Sequence, residues 1–133
     1  MSSQKPIRIM VVDDHDAVRR GLAILIRAFD DLDLIGSAAN GSEAVALAGK
    51  LQPDVMLMDM IMPEMDGVEA TRQIRQKYPN IQVVGLTSSR DEARLQAMLS
   101  AGAVSFLSKN TAIDDLVASI RAAHARTLDA KPT

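Results

Sequence analysis

The chain has 133 residues, a formal net charge of −2, 47% hydrophobic and 24% charged residues, a mix that fits one globular core and argues against disordered and fibrous classes. Cysteine is absent, which excludes disulfides, iron–sulfur clusters, thiolate zinc sites and cysteine nucleophiles and accords with a reducing cytoplasm. No apolar run approaches the ~18 residues of a membrane span, and the opening Met-Ser-Ser-Gln-Lys-Pro lacks the hydrophobic stretch of a secretory signal, so a cytoplasmic location with no membrane partner is expected. The 15 basic residues are scattered and the aromatics are only Phe29, Tyr78 and Phe106, so this segment by itself is a poor binder of nucleic acid or flavin.

Short apolar runs alternate with amphipathic stretches of about 11 to 15 residues, the pattern of strands buried on both faces between helices. The expected strands are Ile7 to Val12, Leu34 to Ala38, Val55 to Met58, Val83 to Leu86 and Val104 to Leu107. The second is the most polar at its flanks, which suits an edge. Val18, Leu22, Leu25, Ile26 and Phe29 make one stripe on the first helix, opposite Arg19, Arg20 and Arg27. Asn40-Gly41 with Ser42 and Glu43 opens the second helix, Gly67 the third, and Thr111 with Asp114 resembles a capping box for the fifth. In the fourth helix Ala93, Ala97 and Ala101 form one face, while Leu95 and Leu99 lie ~200° from Ala93 and Ala97 respectively. Either the alanines pack on the sheet and Leu95 and Leu99 form a possible partner surface, or the whole helix is more deeply buried. The stretch from Thr127 to Thr133 reads as a linker or tail.

Strands joined by helices cross over right-handedly into a parallel sheet, and ligands of such sheets bind at the carboxyl ends of the strands. Those ends carry Asp13-Asp14, Asp59, Thr87 and Lys109. Taken singly, Asp13-Asp14 reads as a helix cap and first-turn acid, Asp59 as a turn residue, and Thr87 as a β-branched residue with a satisfied hydroxyl. Gathered at one rim, three carboxylates repel unless a cation neutralises them. All-oxygen donors in an open site favour hard, octahedral Mg²⁺ over Ca²⁺. A carboxylate is also a nucleophile towards phosphorus, and Asp59, single and central, is the candidate, with Thr87 and Lys109 placed to stabilise phosphoryl oxygens. Lys109 is the natural partner of a carboxylate that directly follows Val-Met-Leu-Met. His15 reads as a polar residue opening the first helix, not needed as a ligand. The cluster Met56, Met58, Met60, Met62 and Met65 reads as core filling.

Val11-Val12-Asp13-Asp14-His15, the run from Leu57 through Asp59 and Pro63 to Asp66-Gly67, Leu86-Thr87-Ser88 and Phe106-Leu107-Ser108-Lys109 together resemble the receiver domains of two-component response regulators. The resemblance spans residues 6 to 124 and implies an α/β fold, a (βα)5 doubly wound parallel sheet of flavodoxin-like type with strand order 2-1-3-4-5. It implies a tail over residues 1–5, a receiver domain over 6–125 and a linker or tail over 126–133. It further implies that Asp59 accepts a phosphoryl group from a sensor histidine kinase. Mg²⁺ would be held by Asp59, by Asp14 ahead of Asp13, and by the Ile61 backbone carbonyl, with Thr87 and Lys109 contacting the phosphoryl oxygens. Thr87 and Phe106 would form the switch, and phosphorylation would drive homodimerisation or docking. Residues 65–72 and 119–124 look like receivers preceding a LuxR-type helix-turn-helix, which would make this the input half of a transcription regulator that meets DNA only through a domain absent from this chain. The alternative is a stand-alone receiver acting by protein docking. On either reading the domain is a regulatory phosphoacceptor rather than an enzyme, with slow autophosphorylation from small phosphodonors and slow self-dephosphorylation. An aspartyl phosphohydrolase would need a second acid two residues after Asp59, where Ile61 stands. Asn110 follows Lys109 where many receivers have proline, and a cis bond without proline costs ~3 kcal/mol, so none is assumed there.

Overall fold

The computed structural model describes residues 5–62, 65–88 and 91–130. Pro63 and Glu64 of the Asp59 motif, and residues 1–4 and 131–133 of the two expected tails, lie outside the described residues. In chain order the elements are β1 (Ile7–Val12), α1 (Asp16–Arg27), β2 (Leu32–Ala38), α2 (Gly41–Leu51), β3 (Val55–Asp59), α3 (Gly67–Lys77), β4 (Gln82–Thr87), α4 (Glu92–Ala101), β5 (Ser105–Ser108) and α5 (Ile113–Ala130). The strands form one parallel sheet in the order β2-β1-β3-β4-β5, and β2, as expected from its polar flanks, is an edge.

Alternation along the central strands feeds two cores. Met10, Val12, Met56, Met58 and Val83 face the layer that contains α2, α3 and α4. Ile9, Val11, Val55, Leu57, Val84 and Leu86 face α1 and α5. The two sides differ in composition: Met10, Met56, Met58, Met60, Met62 and Met98 belong to the first core, whereas the second is built of isoleucine, leucine, valine and alanine. The expected methionine filling is therefore segregated to one face of the sheet.

Capping explains where the helices begin. Asn40 accepts the Glu43 N–H, Asp66 accepts the Glu69 N–H, and Asp91 accepts from Ala93 and Arg94, which satisfies donors that a helix start leaves open. The fifth helix departs from the expected Thr111–Asp114 box: Ala112 holds the N-cap place, its carbonyl accepting the Leu116 N–H at 3.0 Å.

Other expectations are corrected in detail. β2 begins at Leu32, which pairs with Ile7 and is buried, and β5 is shifted by one residue to Ser105–Ser108. The first-helix stripe departs at one position: Ile26 is fully buried and Leu22 and Phe29 pack against the second core, whereas Leu25 is 43% exposed. In α4 it is Leu95 and Met98 that pack inward, while Ala93 is exposed. Two large side chains one turn apart fill the space above β4 and β5 better than alanines do, and they leave only Leu99 of the expected leucine pair exposed. Residues 126–130 continue α5. Thr127 is tied to the sheet there, its hydroxyl accepting from Gln82 Nε2 at 2.7 Å.

The loop between β3 and α3 is pinned by a close backbone approach. Gly67 N–H donates to Met60 O at 3.0 Å, and a Cβ on Gly67 would collide with the Asp59 carbonyl oxygen and the Met60 Cα. Backbone atoms cannot swing aside as a side chain can. Gly67→Ala should therefore lower stability by roughly 1–3 kcal/mol in urea unfolding; an unchanged midpoint would show that the loop shifts without cost.

Candidate acidic phosphoacceptor site

Every strand end except that of β2 delivers a polar group to the same rim. Asp13 directly follows β1, its N–H held by Ala38 O at 3.1 Å and its carbonyl accepting from Arg19 Nη1 at 2.6 Å. Asp59 ends β3 and Thr87 ends β4. Lys109 follows β5, its N–H donating to Thr87 O at 2.8 Å, and the chain then turns with the Thr111 N–H bonded to Ser108 O. All described peptide bonds are trans, Lys109–Asn110 included.

Lys109 joins the two most buried acids. Its Nζ lies 2.7 Å from Asp13 Oδ2 and 3.2 Å from Asp59 Oδ2, while Asp13 and Asp59 are 0% and 4% exposed. Burial pushes the Asp59 carboxyl above the usual carboxylate range, and the Asp13 charge adds to this against the pull of Lys109 and the Ile61 N–H. Burial acts upward on Asp13 too, but Lys109 and His15 together hold it below that range. On Lys109 burial acts downward and is outweighed by the two carboxylates, so the ammonium is held above its ordinary value. The pair therefore divides its roles: Asp13 is the committed anion and Asp59 the strained one.

Asp13, Asp14, His15 and Asp59 each offer a ligand atom within 4.8 Å of the others. The buried oxygens Asp13 Oδ2, Asp14 Oδ1 and Asp59 Oδ2 accept no well-formed hydrogen bond among the described residues; their contacts are the ionic approaches of Lys109 and His15. Three carboxylates and one ammonium leave the charge of one divalent cation to be balanced. Clustered carboxylate oxygens suit a hard ion such as Mg²⁺, so the residues fit it.

Among the expected site residues, Asp13, Asp14, Asp59 and Lys109 are thus brought together. Ile61 lies beside them, donating its N–H to Asp59 Oδ1 at 3.4 Å, with its side chain exposed. Thr87 and Phe106 line a neighbouring cleft of about 540 Å³ with Glu92 and Leu95. Leu95 faces into the fold at 7% exposure, whereas Leu99 is outward at 37%. His15, read from the sequence as a polar residue opening the first helix, stands close to the acids. It holds the N-cap place of α1 without a side-chain cap bond, and its ring nitrogen Nδ1 instead lies 3.0 Å from Asp13 Oδ1 and 3.2 Å from Asp14 Oδ1. A histidine where Ser, Thr, Asp or Asn would cap was the available signal.

A five-stranded doubly wound sheet with a lysine-bridged acid cluster at the carboxyl ends of its strands defines a class of phosphate-handling α/β domains. The response regulator receiver domain family matches residues 9–121, and the chain belongs to that family. It is 44% identical over 117 residues to the transcriptional regulatory protein LiaR of Bacillus subtilis, covering 88% of this chain and 56% of that protein. It is 40% identical over 115 residues to the response regulator protein VraR of Staphylococcus aureus, covering 86% and 55%. The chain thus spans about half the length of the curated relatives it matches. Among solved structures it resembles a LuxR-family two-component response regulator from Aurantimonas, with 34% identity, a TM-score of 0.86 and coverage of 92% and 87%. It also resembles the receiver domain of NarL from Mycobacterium tuberculosis, with 26% identity, a TM-score of 0.88 and coverage of 92% and 98%.

The strained charge on Asp59 yields a stability prediction. Asp59→Asn keeps the shape and removes a buried anion facing Asp13, so without divalent ions the variant should be more stable than the wild type by roughly 1 kcal/mol. Saturating Mg²⁺ should raise the wild-type midpoint more than that of the variant. Urea titrations with and without Mg²⁺ check both; a destabilised variant would mean that the Lys109 attraction outweighs burial and repulsion.

Proposed function

We propose that this receiver is a phosphorylation switch in which Asp59 accepts a phosphoryl group from the phosphohistidine of a sensor histidine kinase. The observation that carries the reading is the Lys109 bridge between buried Asp13 and Asp59. An Asp59 carboxylate oxygen attacks phosphorus while the phosphorus–nitrogen bond breaks and its electron pair leaves with the kinase histidine. Asp59, Asp14, Asp13 and the Ile61 carbonyl would hold Mg²⁺, which when bound offsets charge on the phosphoryl oxygens. Lys109 already stands at Asp59 and would follow the new negative charge, and the Thr87 hydroxyl would supply a further donor. On this reading the domain acts as a regulator, with only slow autophosphorylation from small phosphodonors and slow self-dephosphorylation.

The switch we assign to Thr87 and Phe106. Both line the cleft beside α4 and β5, and half-buried Phe106 packs against the methionine core. Movement of Thr87 towards the phosphoryl group would vacate space for the Phe106 ring, biasing a two-state element that changes homodimerisation or docking. The similarity to LiaR and VraR supports a transcription regulator that meets DNA through a domain outside these residues; a stand-alone receiver acting by docking is the alternative. Reading the native gene past the codon for Thr133 separates them: a basic helical stretch supports the first and an immediate stop the second.

Asp59→Asn should abolish Mg²⁺-dependent labelling by acetyl phosphate, measured by phosphate-affinity electrophoresis; undiminished labelling would remove Asp59 from its role. Lys109→Ala should still accept phosphate to a measurable extent while losing any phosphate-dependent change in oligomeric state, followed by light scattering. Dimerisation that responds normally in this variant would place the coupling elsewhere.

A further inference from the structure

His15 stands one residue beyond the paired acids, at the N-cap of α1, with its ring turned back to the pocket. Its ring nitrogen Nδ1 lies 3.0 Å from Asp13 Oδ1 and 3.2 Å from Asp14 Oδ1, a hydrogen-bonded pairing that aims a third donor type at the acids. Around an octahedral ion with bonds of about 2.1 Å, adjacent ligand atoms stand about 3 Å apart. The two spacings at His15 match that edge. The third donor, Asp59, falls within the same 4.8 Å group. The backbone reinforces the arrangement, because His15 N–H donates to Asp13 Oδ1 at 2.8 Å and fixes the carboxylate beside the ring.

We propose that His15 Nδ1 is a further protein donor to the cation that Asp13, Asp14 and Asp59 hold, and that it makes the pocket favour borderline ions such as Ni²⁺ or Zn²⁺ over Mg²⁺. This rests on the reading of the pocket as a cation site. To bind, the imidazole would offer its Nδ1 lone pair to the cation while Nε2 carries the ring proton. Mg²⁺ prefers oxygen donors and retains water, and gains little from imidazole. Later first-row ions gain a strong nitrogen bond and rank above it. A pocket of this composition would be loaded by transition ions at concentrations far below those of Mg²⁺, with consequences for how readily Asp59 meets a phosphodonor.

The test compares wild type with His15→Ala by calorimetric titration of Ni²⁺ and Mg²⁺ separately, at a pH where free imidazole is neutral. Nitrogen NMR of the histidine rings during Zn²⁺ addition accompanies it, with His15 resolved from His124, the only other histidine. We expect the preference for Ni²⁺ over Mg²⁺ to fall at least about tenfold in the variant, and the wild-type His15 Nδ1 resonance to shift with Zn²⁺ occupancy. An unchanged preference overturns the proposal. A reduced preference without a shift at His15 also overturns it, since the ring would then only position the acids. Wild-type protein that binds neither ion would overturn the cation-site reading itself, an outcome distinct from either of these.

Discussion

A single ammonium between two buried carboxylates is the constraint around which this domain is arranged. Lys109 reaches Asp13 and Asp59 from a different strand end than either acid, and neither acid is exposed enough to be neutralised by water. Burying an unpaired carboxylate is costly, so the ends of β1, β3 and β5 must stay in one relation. The parallel order supplies that relation: β1 and β3 are neighbours, and β5 is tied to β3 through β4. Strand register and pocket electrostatics therefore support each other, and a slip in either would leave charge stranded in the interior.

The arrangement leaves an imbalance that has chemical use. Lys109 cannot satisfy three acids, and the shortfall falls on Asp59, whose ionised form burial and Asp13 both disfavour. A buried carboxylate kept partly uncompensated beside a fixed cation would suit the phosphoryl acceptance proposed for Asp59, which brings a new negative charge and a divalent ion to the same place. The Gly67 turn belongs to the same economy of space, since the chain passes so close to the Asp59 and Met60 backbone that no side chain fits there.

Most of this was legible in the sequence because it rests on periodicity and on strand-end polarity. The alternation of buried runs and amphipathic stretches placed all five strands, and the polar residues ending four of them marked the rim before any coordinate was known. What the sequence hid was governed by packing between distant elements. Leu95 was read as a candidate outward residue because the alanines of α4 make a clean stripe; only the space above β4 and β5 decides that the larger side chains go inward. Likewise α5 runs to Ala130 because Gln82 on β4 holds Thr127, a partnership across 45 positions that no local pattern carries. For His15 the place at the start of the helix was clear from the sequence, but the direction of its ring depends on two neighbouring carboxylates.

The segregation of methionine to one side of the sheet gives the domain unequal mechanical faces. Branched side chains hold few rotamers, so the β-sheet's contacts with α1 and α5 behave as a stiff backing. Thioether chains have three rotatable bonds and re-pack at little cost, and they lie under α2, α3 and α4, with Phe106 against them. A disturbance at the rim would thus be absorbed asymmetrically: the backing holds its shape while the methionine side yields, so the fold itself carries a preferred direction in which to deform.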